Sequence, residues 1–257
     1  MTTRQIVFVH GMYMNGQSWD PWVEVAKSKG FDPIAPSWPF HNDSPRALRN
    51  HIDLALGRMQ FRHVVDSYKK LIDSLPERPF LIGHSVGGLV VQKLINDGYG
   101  AAAVSISPAP PLGIITLAPE FLRANLPHLN FFAGSKPVNM TKKRFHYAFC
   151  NTMTRAESDE AFDLYVTPES RRVPQSILTP QGKINFKKSH APLLLIGGDK
   201  DNLIPLKLVK RNVKAYRKGE GIVDFLSFEN RGHFICNQQG WEVVANTCLE
   251  WLVTVSF

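Results

Sequence analysis

The sequence predicts an α/β fold with a mainly parallel sheet, because short apolar runs alternate with segments of helical periodicity. The apolar runs are continuous, as expected for strands that are buried on both faces of a sheet. The predicted strands span residues 6–9, 31–35, 80–82, 101–106, 193–196 and 222–228. The predicted helices span residues 18–29, 58–75, 89–95 and 240–252. Residues 36–45 are expected to form a loop.

One long interval interrupts this alternation. Residues 108–190 lie between the fourth and fifth predicted strands, which is too long for an ordinary connection. We expect them to form an inserted lid with its own short helices, while residues 1–107 and 191–257 form the core domain. The bulky apolar residues of the insert are Phe121, Leu122, Leu126, Leu129, Phe131, Phe132, Phe145, Tyr147, Phe149, Phe162 and Tyr165.

Composition and charge indicate an ordinary globular protein rather than a nucleic-acid binder. The chain has 257 residues, of which 44% are hydrophobic and 20% are charged, with a formal net charge of +8. Its lysines and arginines are scattered through two regions, residues 136–188 and 207–218. They form no compact basic motif interleaved with aromatic residues, as a single-strand binder would need. No nucleic-acid partner is therefore predicted.

The cysteines and the chain start favour a cytoplasmic protein. Cys150, Cys236 and Cys248 match no zinc-binding spacing, and three thiols cannot all pair within one chain. We therefore expect free thiols, as in a reducing compartment. The first apolar run is too short for a signal-peptide core, and no stretch approaches the length of a membrane span. The sequence carries no signal of oligomeric state.

The clearest chemical motif is Gly83-His-Ser85-Val-Gly87, which matches the G-x-S-x-G nucleophile elbow. A serine at a sharp strand-to-helix turn projects its hydroxyl above the carboxyl edge of the sheet. Small residues two positions to either side allow the strand and the helix to approach each other. The motif here follows a predicted strand and precedes a predicted helix, which is the context it requires. Ser85 is therefore the predicted nucleophile.

A second motif, His10-Gly11, lies at the end of the first predicted strand. A tetrahedral intermediate needs two hydrogen-bond donors aimed at its oxyanion. We expect these donors to be the backbone N–H groups of Met12, in the loop after this strand, and Val86, directly after the nucleophile. His10 is given no role in proton transfer and is expected to hydrogen-bond the loop.

An acid and a base follow the fifth and sixth predicted strands. A carboxylate after the fifth strand can orient an imidazole and stabilise its charged form. Asp199 and Asp201 both compete for this role, and Asp201 is favoured because it lies further into the loop. His233, after the sixth strand, is the predicted base. The remaining histidines are assigned to packing or to the surface, and His84 is expected to point away from the pocket.

On these motifs the chain resembles the α/β-hydrolase superfamily, in particular its lidded, serine-nucleophile esterase- and lipase-like members. The resemblance covers almost the whole chain outside the lid. It implies a Ser85–His233–Asp201 triad, and the family places its acid four residues before a proline, which here is Pro205. Only five residues precede Ile6, so we expect a trimmed sheet of about six strands.

The triad chemistry needs no cofactor or metal. The resemblance implies a serine hydrolase acting on a small-molecule ester or thioester but identifies no particular substrate, and the Phe- and Leu-rich lid favours an apolar acyl or aryl group. Two alternatives stay open from the sequence. The same triad serves carbon–carbon bond hydrolases and perhydrolases, and a hydrolase fold can also act as a non-catalytic ligand receptor. The sequence assigns no individual substrate-binding residue.

Overall fold

The computed structural model describes residues 4–125, 134–216 and 219–255. Within them six strands form one sheet in the order β2-β1-β3-β4-β5-β6, and every neighbouring pair is parallel. The strands are β1 Gln5–Val9, β2 Asp32–Ile34, β3 Phe80–His84, β4 Ala102–Ile106, β5 Leu193–Gly198 and β6 Val223–Phe228. The predicted α/β fold with a parallel sheet of six strands is confirmed.

The described residues contain ten α-helices. They are α1 Asp20–Ser28, α2 Pro45–Asn50, α3 Phe61–Asp73, α4 Val86–Asn96, α5 Pro119–Asn125, α6 Lys142–Ala148, α7 Arg155–Tyr165, α8 Arg172–Ile177, α9 Leu206–Tyr216 and α10 Trp241–Thr254. The four predicted core helices correspond to α1, α3, α4 and α10. Helix α3 starts later than predicted because residues 54–58 form a separate 3₁₀ helix.

Helices α2 and α9 were not among the predicted elements. Helix α2 begins at Pro45, the last residue of the predicted loop, where Ser44 caps it by accepting a hydrogen bond from the amide of Ala47 at 3.2 Å. Helix α9 buries Val209 and Val213 against the sheet side and exposes its basic residues. The sequence analysis noted this region only for its scattered lysines and arginine, although its apolar residues recur at helical spacing.

The alternation of side chains along each strand divides the interior into two apolar layers. Val7, Leu81 and Leu195 face the layer that contains α3, α4 and α9. Ile6 and Leu194 face the opposite layer, which contains α1 and α10. The sheet is thus covered by helices on both faces, as an all-parallel sheet requires.

The described part of the 108–190 insert contains α5, α6, α7 and α8. Its buried residues Phe145, Phe149 and Val173 belong to the same apolar cluster as α3 and α4. The insert therefore packs directly onto one layer of the core. Four of the bulky insert residues named above, together with one histidine, lie outside the described residues: Leu126, Leu129, Phe131, Phe132 and His128.

Two further expectations concern cysteines and membrane spans. Cys150, Cys236 and Cys248 are all described, and each is a buried free thiol. Among the helices of the described residues, none has the length and apolar character needed to cross a bilayer.

The start of α4 is pressed against the end of β1, and this contact requires a glycine. A Cβ added to Gly87 would lie 2.1 Å from the carbonyl oxygen of Val9 and 2.5 Å from that of His10. Backbone atoms cannot yield as a flexible side chain would, so this position tolerates no side chain. The contact places the loop after β1 beside the turn between β3 and α4.

We expect Gly87→Ala to lower the free energy of unfolding by about 3 kcal/mol or more, as a severe case of overpacking. Gly98→Ala, just beyond the other end of α4, is the matched control. A Cβ there meets nothing within 4 Å, and only the positive φ of 91° opposes it. Its expected cost is about 1–2 kcal/mol. Urea denaturation of both variants tests this ranking, and equal costs would contradict the close approach at Gly87.

Candidate active site

Ser85 occupies the turn between β3 and α4 in a backbone conformation that L-residues rarely adopt, with φ 58° and ψ −121°. Its side chain is almost fully buried, with the residue 5% exposed. The turn is sharp because α4 starts at the very next residue, Val86. Such a conformation persists only where the surrounding structure enforces it, and it occurs preferentially at functional sites.

Ser85, His233 and Asp201 form a continuous chain of hydrogen bonds. The Oγ of Ser85 lies 2.9 Å from Nε2 of His233, and Nδ1 of His233 lies 2.7 Å from Oδ2 of Asp201. A carboxylate can only accept, so Nδ1–H of His233 donates to Asp201. Nε2 of a neutral His233 is then free to accept the Ser85 hydroxyl proton. All three residues are buried.

The second carboxylate oxygen of Asp201 is held by the loop that follows it. Oδ1 accepts hydrogen bonds from the amides of Leu203 at 2.8 Å and Ile204 at 2.7 Å. These bonds fix the carboxylate so that Oδ2 faces His233. The competing residue, Asp199, accepts instead from the amide of Arg231 at 3.4 Å. Of the two candidates, the structure brings only Asp201 into contact with His233.

The two predicted oxyanion donors belong to segments that adjoin Ser85. Val86 is the first residue of α4, where an amide has no partner within the helix. Met12 belongs to the loop after β1, and this loop runs directly against the nucleophile. A Cβ added to Gly11 would lie 2.9 Å from Cβ of Ser85. The fold thus brings the segments that carry both amides to the Ser85 side chain.

His10 and His84 are buried beside the site and make hydrogen bonds that suit neutral rings. Nδ1 of His10 lies 2.9 Å from the carbonyl oxygen of Gly11, and Nε2 accepts from the amide of Trp38 at 2.9 Å. Burial lowers the pKa of His10 well below its ordinary value, and nearby His41 lowers it further. His10 therefore holds the loop, as the sequence analysis expected.

His84, assigned from the sequence to packing or to the surface, lies against His233 in the structure. Nε2 of His84 lies 2.8 Å from the carbonyl oxygen of His233, and the two ring centroids are 4.7 Å apart. Burial lowers the pKa of His84 well below its ordinary value, and the neighbouring His233 adds to this effect. His84 is a packing residue that supports the backbone of His233.

Aromatic residues of the insert pack against the loop that carries His233. The ring of Phe149, beyond the end of α6, meets the His233 ring edge-on at 5.0 Å. The amide of Phe234 donates to the carbonyl oxygen of Phe149 at 2.9 Å. The Phe145 ring packs on the rings of Phe149 and Phe234, with centroid distances of 5.1 Å and 5.7 Å. The loop that carries His233 is therefore fixed to the insert.

A buried acid–base pair adjoins the loop after β1, and no sequence motif predicts it. Glu169, in the insert, is fully buried and lies 3.5 Å from Nε2 of His41. Burial lowers the pKa of His41, but the charge and hydrogen bond of Glu169, with two backbone carbonyls, more than offset this, so its pKa is raised. The two residues are far apart in sequence, and His41 had been assigned to packing or to the surface.

Comparison with protein-family models identifies one match, the model described as the alpha/beta hydrolase family, over residues 6–247. The chain belongs to the alpha/beta hydrolase family. The resemblance drawn from its motifs is therefore confirmed. A search of curated protein sequences found no match. Within the described residues of this hydrolase-family chain, no group of three or more His, Cys, Asp or Glu side chains is arranged to hold a metal ion.

Solved structures with the same fold include several hydrolases. The monoacylglycerol lipase of Paleococcus ferrophilus has a TM-score of 0.72 at 21% identity, over 99% of this chain and 96% of that chain. A pyrethroid hydrolase from Sphingobium faniae has a TM-score of 0.67 at 17% identity, over 98% of both chains. Polyneuridine aldehyde esterase has a TM-score of 0.66 at 16% identity, over 99% of this chain and 100% of its own. At these identities the likeness shows the shared fold.

The buried neutral histidines predict a loss of stability in mild acid. The pKa values of His10 and His84 are lowered in the folded protein, whereas an unfolded histidine titrates near about 6.5. Below that pH the unfolded chain takes up protons that the folded protein does not, so the free energy of unfolding falls as the pH falls. Each histidine contributes a limiting slope of about 1.4 kcal/mol per pH unit. His41 has a raised pKa, so its contribution is complete below about pH 6.5 and is lost only as the pH rises.

Urea denaturation between about pH 5 and 6.5 tests this slope. The variant His84→Gln removes one of the two titrating groups and should flatten the profile by about one histidine's share. Superimposable slopes for wild type and variant would contradict the assignment of His84 as a buried neutral ring.

Proposed function

We propose that this protein is a serine hydrolase that cleaves an ester of an apolar acyl or aryl group through an acyl-enzyme on Ser85. The observation that carries the proposal is the unbroken hydrogen-bond chain from the Ser85 hydroxyl through His233 to Asp201. The strained backbone at Ser85 and membership of the alpha/beta hydrolase family support the same conclusion. Triads of this geometry serve nucleophilic catalysis on several unrelated folds.

The proposed reaction has two balanced halves. Ser85 Oγ attacks the substrate carbonyl carbon while its proton passes to Nε2 of His233. The tetrahedral oxyanion accepts hydrogen bonds from the amides of Met12 and Val86. Collapse breaks the ester bond, and the alcohol leaves with the proton from His233. Water then repeats the sequence on the acyl-enzyme and releases the carboxylic acid.

Asp201 acts through His233 in this scheme. Its carboxylate keeps the proton of the neutral imidazole on Nδ1, so that Nε2 faces Ser85 with its lone pair. When His233 becomes charged, the negative carboxylate at 2.7 Å stabilises it. The two backbone amides on Oδ1 prevent the carboxylate from rotating away.

The substrate class follows from the surroundings of the site. The Phe149 ring packs on His233, and Phe145 packs on Phe149 and Phe234, so the surroundings of His233 are apolar, which favours an apolar group in the substrate. Two structural neighbours are a monoacylglycerol lipase and polyneuridine aldehyde esterase, whose names denote lipase and esterase activities. We propose that residues 108–190 act as the lid over this site, since they supply Phe149 and since Ser85 is only 5% exposed.

Of the alternatives that the sequence left open, the other enzymes would use the same nucleophile, whereas a non-catalytic receptor would use none. A thioesterase, a carbon–carbon bond hydrolase or a perhydrolase would use the same three residues on a different bond. A non-catalytic receptor would leave Ser85 unreactive. A panel of p-nitrophenyl esters and thioesters of increasing acyl length, assayed beside a ring-fission diketone, separates the first group. Covalent labelling separates all of them from the receptor.

A fluorophosphonate probe should label the wild-type protein at one site, because such probes react with activated serines. Ser85→Ala should abolish labelling and reduce ester hydrolysis to background. Ser107→Ala is the matched control. Ser107 is also buried, follows strand β4 directly and has a positive φ of 41°, but its Oγ has no hydrogen-bond partner among the described residues. This control variant should label normally.

Absence of labelling in the wild type would favour the hypothesis of a non-catalytic receptor. Labelling that persists in Ser85→Ala, or that disappears in Ser107→Ala, would assign the nucleophile elsewhere. Intact-mass spectrometry gives the stoichiometry of labelling and confirms that each variant carries only the intended change.

Asp201→Asn should lower kcat by about 10⁴-fold, because an amide favours the wrong imidazole tautomer. Asp199→Asn is the matched control, since it makes the same chemical change two residues earlier, at a carboxylate that contacts Arg231 and Lys200. We expect the control to retain wild-type kcat within a small factor. Steady-state hydrolysis of a p-nitrophenyl ester measures both values, and a larger loss in the Asp199 variant would reassign the acid.

A further inference from the structure

Glu169 connects the insert to the loop that carries a predicted oxyanion donor. Its carboxylate oxygen Oε2 accepts the backbone N–H of Tyr13 at 3.3 Å, and Tyr13 directly follows Met12. The other oxygen, Oε1, accepts the amide of Ser170 at 2.7 Å. Glu169 is fully buried, so this carboxylate is held in one place between the two parts of the molecule.

His41 is the counterion of Glu169, and its hydrogen bonds require it to be charged. Nδ1 lies 3.0 Å from the carbonyl oxygen of Pro39, and Nε2 lies 3.2 Å from that of Pro168. Both partners can only accept, so both ring nitrogens must donate. A neutral imidazole has one N–H and cannot satisfy both carbonyls. The 3.5 Å approach of Nε2 to Glu169 therefore joins opposite charges in the interior.

Both backbone polar groups of Tyr13 are hydrogen-bonded to residues of the insert. Its amide donates to Glu169, and its carbonyl oxygen accepts the amide of Thr167 at 3.0 Å. Tyr13 has a φ of 64°, a left-handed conformation that a bulky residue adopts only when its surroundings impose it. These two hydrogen bonds fix the direction of the chain immediately after Met12.

We propose that Glu169, with His41 as its counterion, is a positioning residue that aims the Met12 amide at the oxyanion of the reaction. The inference rests on the function proposed above. A charge-assisted hydrogen bond is stronger than a neutral one and holds its donor more tightly. An oxyanion donor must be aligned before the reaction in order to lower the barrier, so loosening this loop costs rate rather than substrate affinity. Glu169 hydrogen-bonds Tyr13 and Ser170 and pairs with His41, so it acts through the loop and is not itself a catalytic residue.

The variant Glu169→Gln tests the proposal, because it keeps the shape and an acceptor for Tyr13 but removes the charge. We expect kcat for ester hydrolysis to fall by about 10- to 100-fold, less than the complete loss of one oxyanion donor, while KM stays within about twofold. The control is Glu160→Gln, which makes the same change at an exposed position of helix α7 in the same insert. This control should match the wild type.

The inhibition constant of a trifluoromethyl ketone distinguishes a positioning role from a purely structural one. Its adduct with a serine carries an oxyanion, so its inhibition constant reports on the oxyanion donors directly. In Glu169→Gln the inhibition constant should rise by about the same factor as kcat falls. The double variant Glu169→Gln/His41→Gln should lose no more than the more impaired single variant, because the two residues act as one unit.

The outcomes separate this proposal from the one on which it rests. If the wild type neither hydrolyses esters nor reacts with a fluorophosphonate, the proposed function fails. If the wild type is active and Glu169→Gln keeps its kcat, or loses only thermal stability or only KM, the positioning role is overturned and Glu169 is structural. If Glu169→Gln does not fold, His41→Gln is judged by the same criteria. Failure of both variants to fold would likewise assign the pair to stability alone.

Discussion

The backbone at Ser85 is the constraint on which the rest of the site depends. Its positive φ is maintained by hydrogen bonds on both sides of the residue. The Ser85 amide donates to the carbonyl oxygen of Ile106 at 2.9 Å, and its own carbonyl oxygen accepts the amides of Leu89 at 3.2 Å and Ala109 at 2.9 Å. The contact of Gly87 with the end of β1 then fixes where α4 begins. A strained serine persists here because strands β1, β3 and β4 and helix α4 all enforce it.

The neighbouring groups are organised around this fixed point by the parallel sheet. Because all six strands run in the same direction, the loops after β1, β3, β5 and β6 meet at one edge. The core alone, however, does not complete the arrangement. Residues of the insert place Phe149 against His233 and contact the loop after β1 through Glu169, so they take part in the geometry of the site.

Most of the fold could be predicted from the sequence because its signals are local. The strands are short apolar runs, and the elbow at Ser85 is a contiguous motif in which each residue has a steric reason. Asp201 and His233 could be placed because each follows a strand whose end position is known. The contact between Glu169 and His41 could not be predicted, because no local pattern specifies which insert residue reaches a given core loop. The packing of His84 on His233 could not be specified for a related reason, since the path of the His233 loop over the His84 ring is a tertiary feature. Helix α9 could have been predicted from the sequence, since Val209 and Val213 recur at helical spacing.

The proposed mechanism requires Ser85 to carry the acyl group during turnover. To detect it, the wild-type protein is mixed with a p-nitrophenyl ester and quenched in acid within the first turnover, and the added mass is located by peptide mass spectrometry. We expect one acyl group per chain, on Ser85, that accumulates with the burst of p-nitrophenol and disappears as the acid is released. Rapid hydrolysis without an acylated Ser85, or an acyl group on another residue that turns over at the catalytic rate, would contradict it.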